Sequence, residues 1–260
     1  MAQYGIELEV SDGANCLLTQ LHKQELTTHT RFHKYHCTCE DCDVFSTRLP
    51  PFLAQEDSTA DGEIISRVLH TSSLRSERAI SGLSQAILAA NTVHDGNVGL
   101  HVHVSHEDMD SVQCKRLERM FCLYQDELML LAGGPRHIRN YNDPLDQRAW
   151  IEGLRPGKTS TYLAKRSETY EFRIWNSVKT EWRLRLAIGL SIAMVQGARD
   201  EVLLPRRLPV TDMLADRIGH LFDAHTWAGY IAQHEFDSDS GFHSRGIVGT
   251  EIDTLEEVGI

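Results

Sequence analysis

Three stretches of the chain alternate apolar and polar residues with the period of a β-strand. In Tyr4–Val10, Tyr4, Ile6, Leu8 and Val10 share one face, while Gly5, Glu7 and Glu9 share the other; Ser11-Asp12-Gly13 then signals a turn. In Val98–Ser105, Val98, Leu100, Val102 and Val104 oppose Gly99, His101, His103 and Ser105. Two imidazoles therefore stand on one face, roughly 6.6 Å apart at about 3.3 Å per residue. In Thr169–Trp175, Tyr170, Phe172 and Ile174 oppose Thr169, Glu171 and Arg173. A fourth stretch, Glu63–Leu69, is rich in β-branched residues and predicts a short strand with Glu63, Ile65 and Arg67 on one side.

Elsewhere the period lengthens to that of a helix. Ile80, Leu83, Ile87 and Ala90 mark one after Ser72 or Ser73 as N-cap. Asp110 or Ser111 caps a second, whose apolar stripe is Leu117, Met120, Phe121, Tyr124, Leu128 and Leu131 and whose stop is Gly133-Gly134-Pro135. A third runs from Trp182 toward Gly197 and is apolar on more than one side; a fourth is expected over Thr211–His234, broken near Gly229. Between residues 15 and 55 no period emerges beyond the patch Cys16-Leu17-Leu18, and Arg48-Leu49-Pro50-Pro51 reads as an extended linker. The pattern predicts an α+β fold, with an antiparallel or mixed sheet and helices packed on its apolar face. One catalytic domain over residues 1–236 and an acidic, mobile tail over 237–260 are expected.

Composition is ordinary for a globular chain of 260 residues, 41% hydrophobic and 24% charged. The net charge of −11 argues against a nucleic-acid partner. The N-terminal residues lack a basic segment followed by an apolar run, and the longest apolar stretch contains Arg185 and is too short to span a bilayer. A cytoplasmic protein without membrane contact, monomeric or a small homo-oligomer, is the expectation. In that setting the crowded Cys37, Cys39 and Cys42 suit a metal or free thiols better than disulfides. With His29, His33, His36 and Asp43 they make residues 29–43 a Cys/His-rich insertion. A zinc knuckle of Cys37, Cys39, Cys42 and either His33 or His36 is predicted there. A further local excess, Arg136, Arg139, Arg148, Arg155 and Lys158, invites an anion.

Taken together, the strands gather Glu7, Glu9, Glu63, His101, His103, Glu171 and Arg173 on polar faces. Two carboxylates on one strand face repel each other, and a cation relieves that repulsion. Carboxylates with one imidazole suit a hard divalent cation shared with phosphates, and neighbouring arginines would balance a transferring phosphoryl group.

The motifs Tyr4-Gly-Ile-Glu7-Leu-Glu9-Val10, Asp57-Ser58 with Glu63-Ile-Ile-Ser66, Gly99-Leu-His101-Val-His103-Val-Ser105 and Glu171-Phe-Arg173 occur in an order that resembles the amidoligase family. That family is related to glutamine synthetase and glutamate–cysteine ligase in the carboxylate–amine ligase superfamily. The resemblance spans residues 4–173. It implies a glutamine-synthetase-like sheet and an ATP-dependent reaction, in which a carboxylate is phosphorylated and an amine displaces the phosphate to form an amide. It further implies that Glu7, Glu9 and Glu63 hold catalytic Mg²⁺ or Mn²⁺, and that His101 and Glu171 ligate the metal nearest the terminal phosphate. His103, Arg173 and Ser105 would contact the nucleotide or the phosphorylated substrate. Arg136 and Arg139 fall where such ligases keep substrate-binding arginines. The partners implied are small-molecule or peptide carboxylates and amines.

Two other readings make different predictions. A metal-dependent hydrolase would use His101 and His103 as zinc ligands and act without nucleotide. A non-catalytic protein would use the knuckle to bind a partner.

Overall fold

The computed structural model describes residues 2–35, 37–58, 60–92, 98–132, 162–178 and 180–200. Strand β1 (Gln3–Val10) is the spine of the sheet. It pairs with β3 (Gly62–Ser66) on one side and with β5 (Gly99–Ser105) on the other. Beyond β3 lies β2 (Phe52–Gln55), and beyond β5 lie β7 (Thr169–Asn176) and β6 (Leu163–Lys165). The short β4 (Leu69–His70) pairs with the start of β1. All these pairings are antiparallel, which settles the expected choice between antiparallel and mixed; a single parallel bridge joins His33 to Gln55 outside the named strands.

Four helices among the described residues cover the apolar face: α1 (Ala14–Lys23), α2 (Leu74–Ala90), α3 (Ser111–Leu131) and α4 (Glu181–Arg199). Tyr4, Ile6, Leu8, Leu100, Val102, Val104, Tyr170 and Phe172 from the strands join Leu17, Leu21, Leu83, Phe121 and Leu190 from the helices in one core. The α+β class and the strand faces read from the sequence are therefore present. Helix α4 is buried nearly all round, as its broad apolar surface predicts. No helix among the described residues is long and apolar enough to cross a membrane.

The structure departs from the sequence reading at four places. Residues 14–23 are helical: Ala14, Leu17, Leu18 and Leu21 recur at helical spacing and are all buried. The extended Arg48–Pro51 segment feeds directly into β2. The single strand expected over Glu63–Leu69 is two strands separated at Arg67 and Val68. There the chain turns to other partners, since Arg67 N–H donates to Pro51 O (2.8 Å) and Val68 N–H to Val44 O (3.0 Å). The hydroxyl of Ser66 accepts from Ile6 N–H (2.9 Å), satisfying a donor that the interrupted ladder leaves behind. Arg67 leaves the polar face and is buried, with its guanidinium donating to Pro50 O (2.8 Å) and Asp41 O.

Strand β7 carries the fourth departure. Leu100 pairs with Trp175 and Val102 with Phe172, so His101 faces two residues of β7 and the ladder bulges. The extra residue returns Trp175 to the core, where its indole donates to Ser191 Oγ (3.0 Å). The expected helix over 211–234 and the tail over 237–260 lie outside the described residues.

Two helix starts show what sequence can and cannot reveal. Asp110 caps α3: its Oδ1 accepts from Val112 and Gln113 N–H (both 2.8 Å), while Asp110 N–H donates back to Gln113 Oε1 (2.9 Å). Helix α1 starts after Gly13, whose φ of 85° suits glycine, and its Ala14 N–H donates to Asp61 Oδ2 (2.9 Å) from the turn before β3. Asp61→Ala is expected to cost about 1 kcal/mol, read as a lower denaturation midpoint at unchanged slope.

Candidate metal and substrate site

The cross-strand register assembles the site in three rows. Glu9 stands opposite Glu63, Glu7 opposite His101, and Gly5 and Glu171 on either side of His103. Four adjacent strands thus deliver four carboxylates and two imidazoles to one face. Burial is deep for groups of this polarity, at 5% exposure for Glu63, 4% for His101 and 2% for Glu171.

Glu7 lies between the histidines. His101 Nδ1 is 3.2 Å from Glu7 Oε2, and His103 Nε2 is 3.1 Å from Glu7 Oε1. His101 Nδ1 is also 3.3 Å from Glu171 Oε1, and its Nε2 is 3.5 Å from Glu9 Oε1. Both Nε2 atoms are buried without an aligned hydrogen-bond partner. Glu9 is tied to the sheet, its Oε2 accepting from Gly99 N–H (2.7 Å). His103 Nδ1 lies 3.3 Å from Thr169 Oγ1.

The charges are not balanced evenly. Glu171 takes the two guanidinium groups near the site: Arg166 Nε donates to its Oε2 (2.6 Å), and Arg173 Nε lies 3.4 Å from Oε1. At Glu63, burial, together with the negative charges of Glu7, Glu9 and Asp57, pushes the carboxyl up to about 9. Burial also works against ionisation of Glu7, but the positive field of His103 and a hydrogen bond from His101 outweigh it and hold Glu7 well below the usual range. His103 moves the opposite way: burial would lower it, yet Glu7 and Glu171 raise it.

Two sets of ligand atoms converge closely enough to hold a cation: Glu7, Glu63 and His101, and Glu7, His103 and Glu171, each set lying within 4.8 Å. Glu7 belongs to both. His103, expected at the nucleotide, is as well placed for a cation as His101. Buried carboxylates, the raised Glu63 among them, and two imidazole nitrogens that face carboxylates without an aligned hydrogen bond are a donor set suited to a divalent ion. Arg173, expected at the nucleotide or the phosphorylated substrate, lies beside Glu171, and Ser105 lies at the end of β5. Arg136, Arg139, Arg148, Arg155 and Lys158 lie outside the described residues.

A cavity of about 210 Å³ opens beside Glu7 and His103. Gly5, Ser66, Ser105, Glu107, Glu168 and Thr169 contribute to its lining. Val44, Phe45 and Val68 add an apolar wall. Val44 and Phe45 directly follow the Cys/His-rich segment in the chain.

In that segment the structure brings Cys37, Cys39 and Cys42 around His33; their ligand atoms lie within 4.8 Å of one another. His36 lies outside the described residues. A hydrogen bond from the Cys39 backbone and another from His33 bring the Cys37 thiol down to about 6, whereas burial and the neighbouring thiols push Cys42 up to about 12. Tyr35, between His33 and Cys37, has its phenol raised by burial and by the negative field of Glu7, Glu63 and Asp57.

Arg166 is the site residue that sequence reading missed. It sits in the turn between β6 and β7, where its N–H donates to Thr169 O (2.8 Å). The available signal was the polar run Arg166-Ser167-Glu168 before an alternating strand, a hairpin pattern whose first strand is only Leu163–Lys165.

No family model matches the chain. No curated protein matches it. Among solved structures, it is similar to a chain from the complex between Prokaryotic Ubiquitin-like Protein Pup and its Ligase PafA, with 11% identity and a TM-score of 0.38. The match covers 83% of this chain and 50% of that one, so the chain spans about half its length. A likeness this loose defines neither fold nor activity.

Proposed function

We propose that this protein is an ATP-dependent carboxylate–amine ligase whose centre is the acidic face of β3, β1, β5 and β7. The observation that carries this reading is the convergence of Glu7, Glu9, Glu63 and Glu171 on His101 and His103. The order of the motifs that carry these residues, from residue 4 to 173, also supports it.

Glu7, Glu63 and His101 would hold one divalent cation, and Glu7, His103 and Glu171 a second. Such ions, when bound, would neutralise phosphate charge and polarise the oxygen to which the phosphoryl group moves. The chain's own residues perform the remaining work. Arg166 and Arg173 hold the Glu171 carboxylate, whose Oε1 also lies 3.3 Å from His101 Nδ1. Gly99 N–H does the same for Glu9. Glu7 sets the orientation of both imidazoles, and neither needs to act as a nucleophile.

The cavity beside Glu7 suits the amine partner. Glu7, Glu107 and Glu168 line it, and no lysine or arginine appears among its described lining residues. A cationic amine would be drawn toward such a field and could rest its apolar portion on Val44 and Phe45.

The metal-dependent hydrolase with both histidines on one zinc ion is less well supported. His101 and His103 belong to different ligand sets, each with a single histidine.

The decisive assay measures ADP release with Mg²⁺ across pairs of candidate carboxylates and amines. Turnover is expected only when both members of a productive pair are present, with phosphate and an amide as the other products. ADP release that ignores the amine, or substrate hydrolysis at full rate without nucleotide, would sink the ligase reading.

A further inference from the structure

The Cys/His-rich segment has no role in the chemistry proposed above, yet its four side chains are arranged as a closed site. His33 Nδ1 lies 3.7 Å from Cys37 Sγ, 3.4 Å from Cys39 Sγ and 3.3 Å from Cys42 Sγ. A single ring nitrogen carries one proton or one lone pair and can satisfy only one thiol. Three sulfurs at nearly equal range instead match the edge of a metal tetrahedron. Zinc–sulfur bonds of about 2.3 Å and zinc–nitrogen bonds of about 2.05 Å place the nitrogen about 3.6 Å from each sulfur.

Backbone hydrogen bonds and ring stacking hold the ligand-bearing residues in place. His33 is held to the edge of the sheet: its N–H donates to Ala54 O (3.0 Å), and its carbonyl accepts from Glu56 N–H (2.7 Å). Cys37 N–H donates to Lys34 O (3.0 Å), and Cys42 N–H to Cys39 O (2.9 Å), in a short turn of 3₁₀ helix over Glu40–Cys42. His29 is excluded as a ligand because both its ring nitrogens are engaged. Nδ1 accepts from Ala54 N–H (3.1 Å), which leaves Nε2–H to donate to Asp41 O (3.2 Å). Its ring stacks on His33 at 4.1 Å between centroids and holds that imidazole in place. A disulfide could join only two of the three sulfurs and would strand the third.

We propose that His33, Cys37, Cys39 and Cys42 bind one structural zinc ion, and that this ion pins the wall of the cavity formed by Val44 and Phe45. Four protein ligands close the coordination sphere, leaving no position for substrate. Two residues after Cys42, Val44 O accepts from Val68 N–H (3.0 Å), and the chain enters the cavity wall. The ion thus acts on the acidic site through the loop and not through the reaction.

The test uses the full chain produced with ample zinc and needs no nucleotide, so its outcome is separate from that of the ligase reading. Elemental analysis should find about one zinc per chain, and cobalt replacement should give the intense thiolate-to-metal absorption of a tetrahedral site. Cys37→Ser with Cys39→Ser should lose the metal, and His36→Ala should keep it. Absence of zinc, zinc retained by the double variant, or zinc lost with His36→Ala would each overturn the ligand set. If the double variant does not fold, alkylation of the unaltered chain decides. Cys16 is exposed and should react throughout, whereas Cys37 and Cys39 should react an order of magnitude faster after chelation. Equal reactivity before and after chelation overturns the site. Faster tryptic cleavage after Arg48 on chelation supports the pinned wall, and an unchanged rate refutes that part.

Discussion

Glu7→Gln is expected to abolish Mg²⁺-dependent binding of a non-hydrolysable ATP analogue and to lower ligase turnover by at least about 10³-fold. The replacement keeps the shape of the side chain, so β1 should pack as before. What disappears is the charge shared by both candidate cation sets, whose two oxygens lie 3.2 Å from His101 Nδ1 and 3.1 Å from His103 Nε2. An amide also offers only one acceptor oxygen, so it cannot serve both sides. His103 loses the anion that raises it and should titrate lower in the variant. Isothermal calorimetry with Mg²⁺ and the analogue measures the binding, and circular dichroism checks the fold. Unchanged calorimetric binding would contradict the assignment of this face to nucleotide and metal.

Much of this arrangement was readable because the site sits on regular strands. A period of two residues is enough to place Glu7 with Glu9, His101 with His103, and Glu171 with Arg173 on common faces. It does not say which strand lies beside which. The site strands lie in the order β3, β1, β5, β7, and only that order turns three separate pairs into one cluster. The misses have physical causes of the same kind. Helix α1 begins on a cap supplied by Asp61, far along the chain, so the usual local signal is absent. Strand β2 has both faces buried and too few residues to show a period. Strand β7 breaks alternation at its bulge, and Trp175 reaches the core despite its place in the count. Arg166 acts from a turn, where no period applies.

The knuckle shows the opposite balance. Its residue types and close spacing pointed to a metal, but His33 and His36 were equivalent on paper. The bond from His33 N–H to Ala54 O and the stack on His29 place His33 against the three cysteines. Neither contact leaves a trace in the spacing of the cysteines.

Glu63→Gln should separate stability from cation binding: it is expected to stabilise the metal-free protein while weakening its response to Mg²⁺, since the set of Glu7, His103 and Glu171 stays intact. The carboxyl of Glu63 is raised to about 9 by burial first and then by Glu7, Glu9 and Asp57. A raised carboxyl means that the folded chain binds a proton that the unfolded chain has already released. Stability of the metal-free protein therefore falls as pH rises from about 4.5 toward 9, by up to about 1.4 kcal/mol per pH unit. Near pH 7 this amounts to an upper bound of about 3 kcal/mol, which the neutral amide avoids. His103, also raised, adds a fall of the same sign as pH passes its own folded value. The variant should consequently keep a weaker decline of melting temperature with pH, not a flat profile. Mg²⁺ reverses the sign for the unaltered chain. It competes with the proton on Glu63, so its affinity should climb with pH up to about 9, and binding should release a proton in weakly buffered solution. Thermal melts across pH, with and without Mg²⁺, read all of these together. A Glu63→Gln protein that melts lower than the parent at pH 8 without metal, or that gains as much stability from Mg²⁺, would show that this carboxyl is not the strained proton-holder of the cluster.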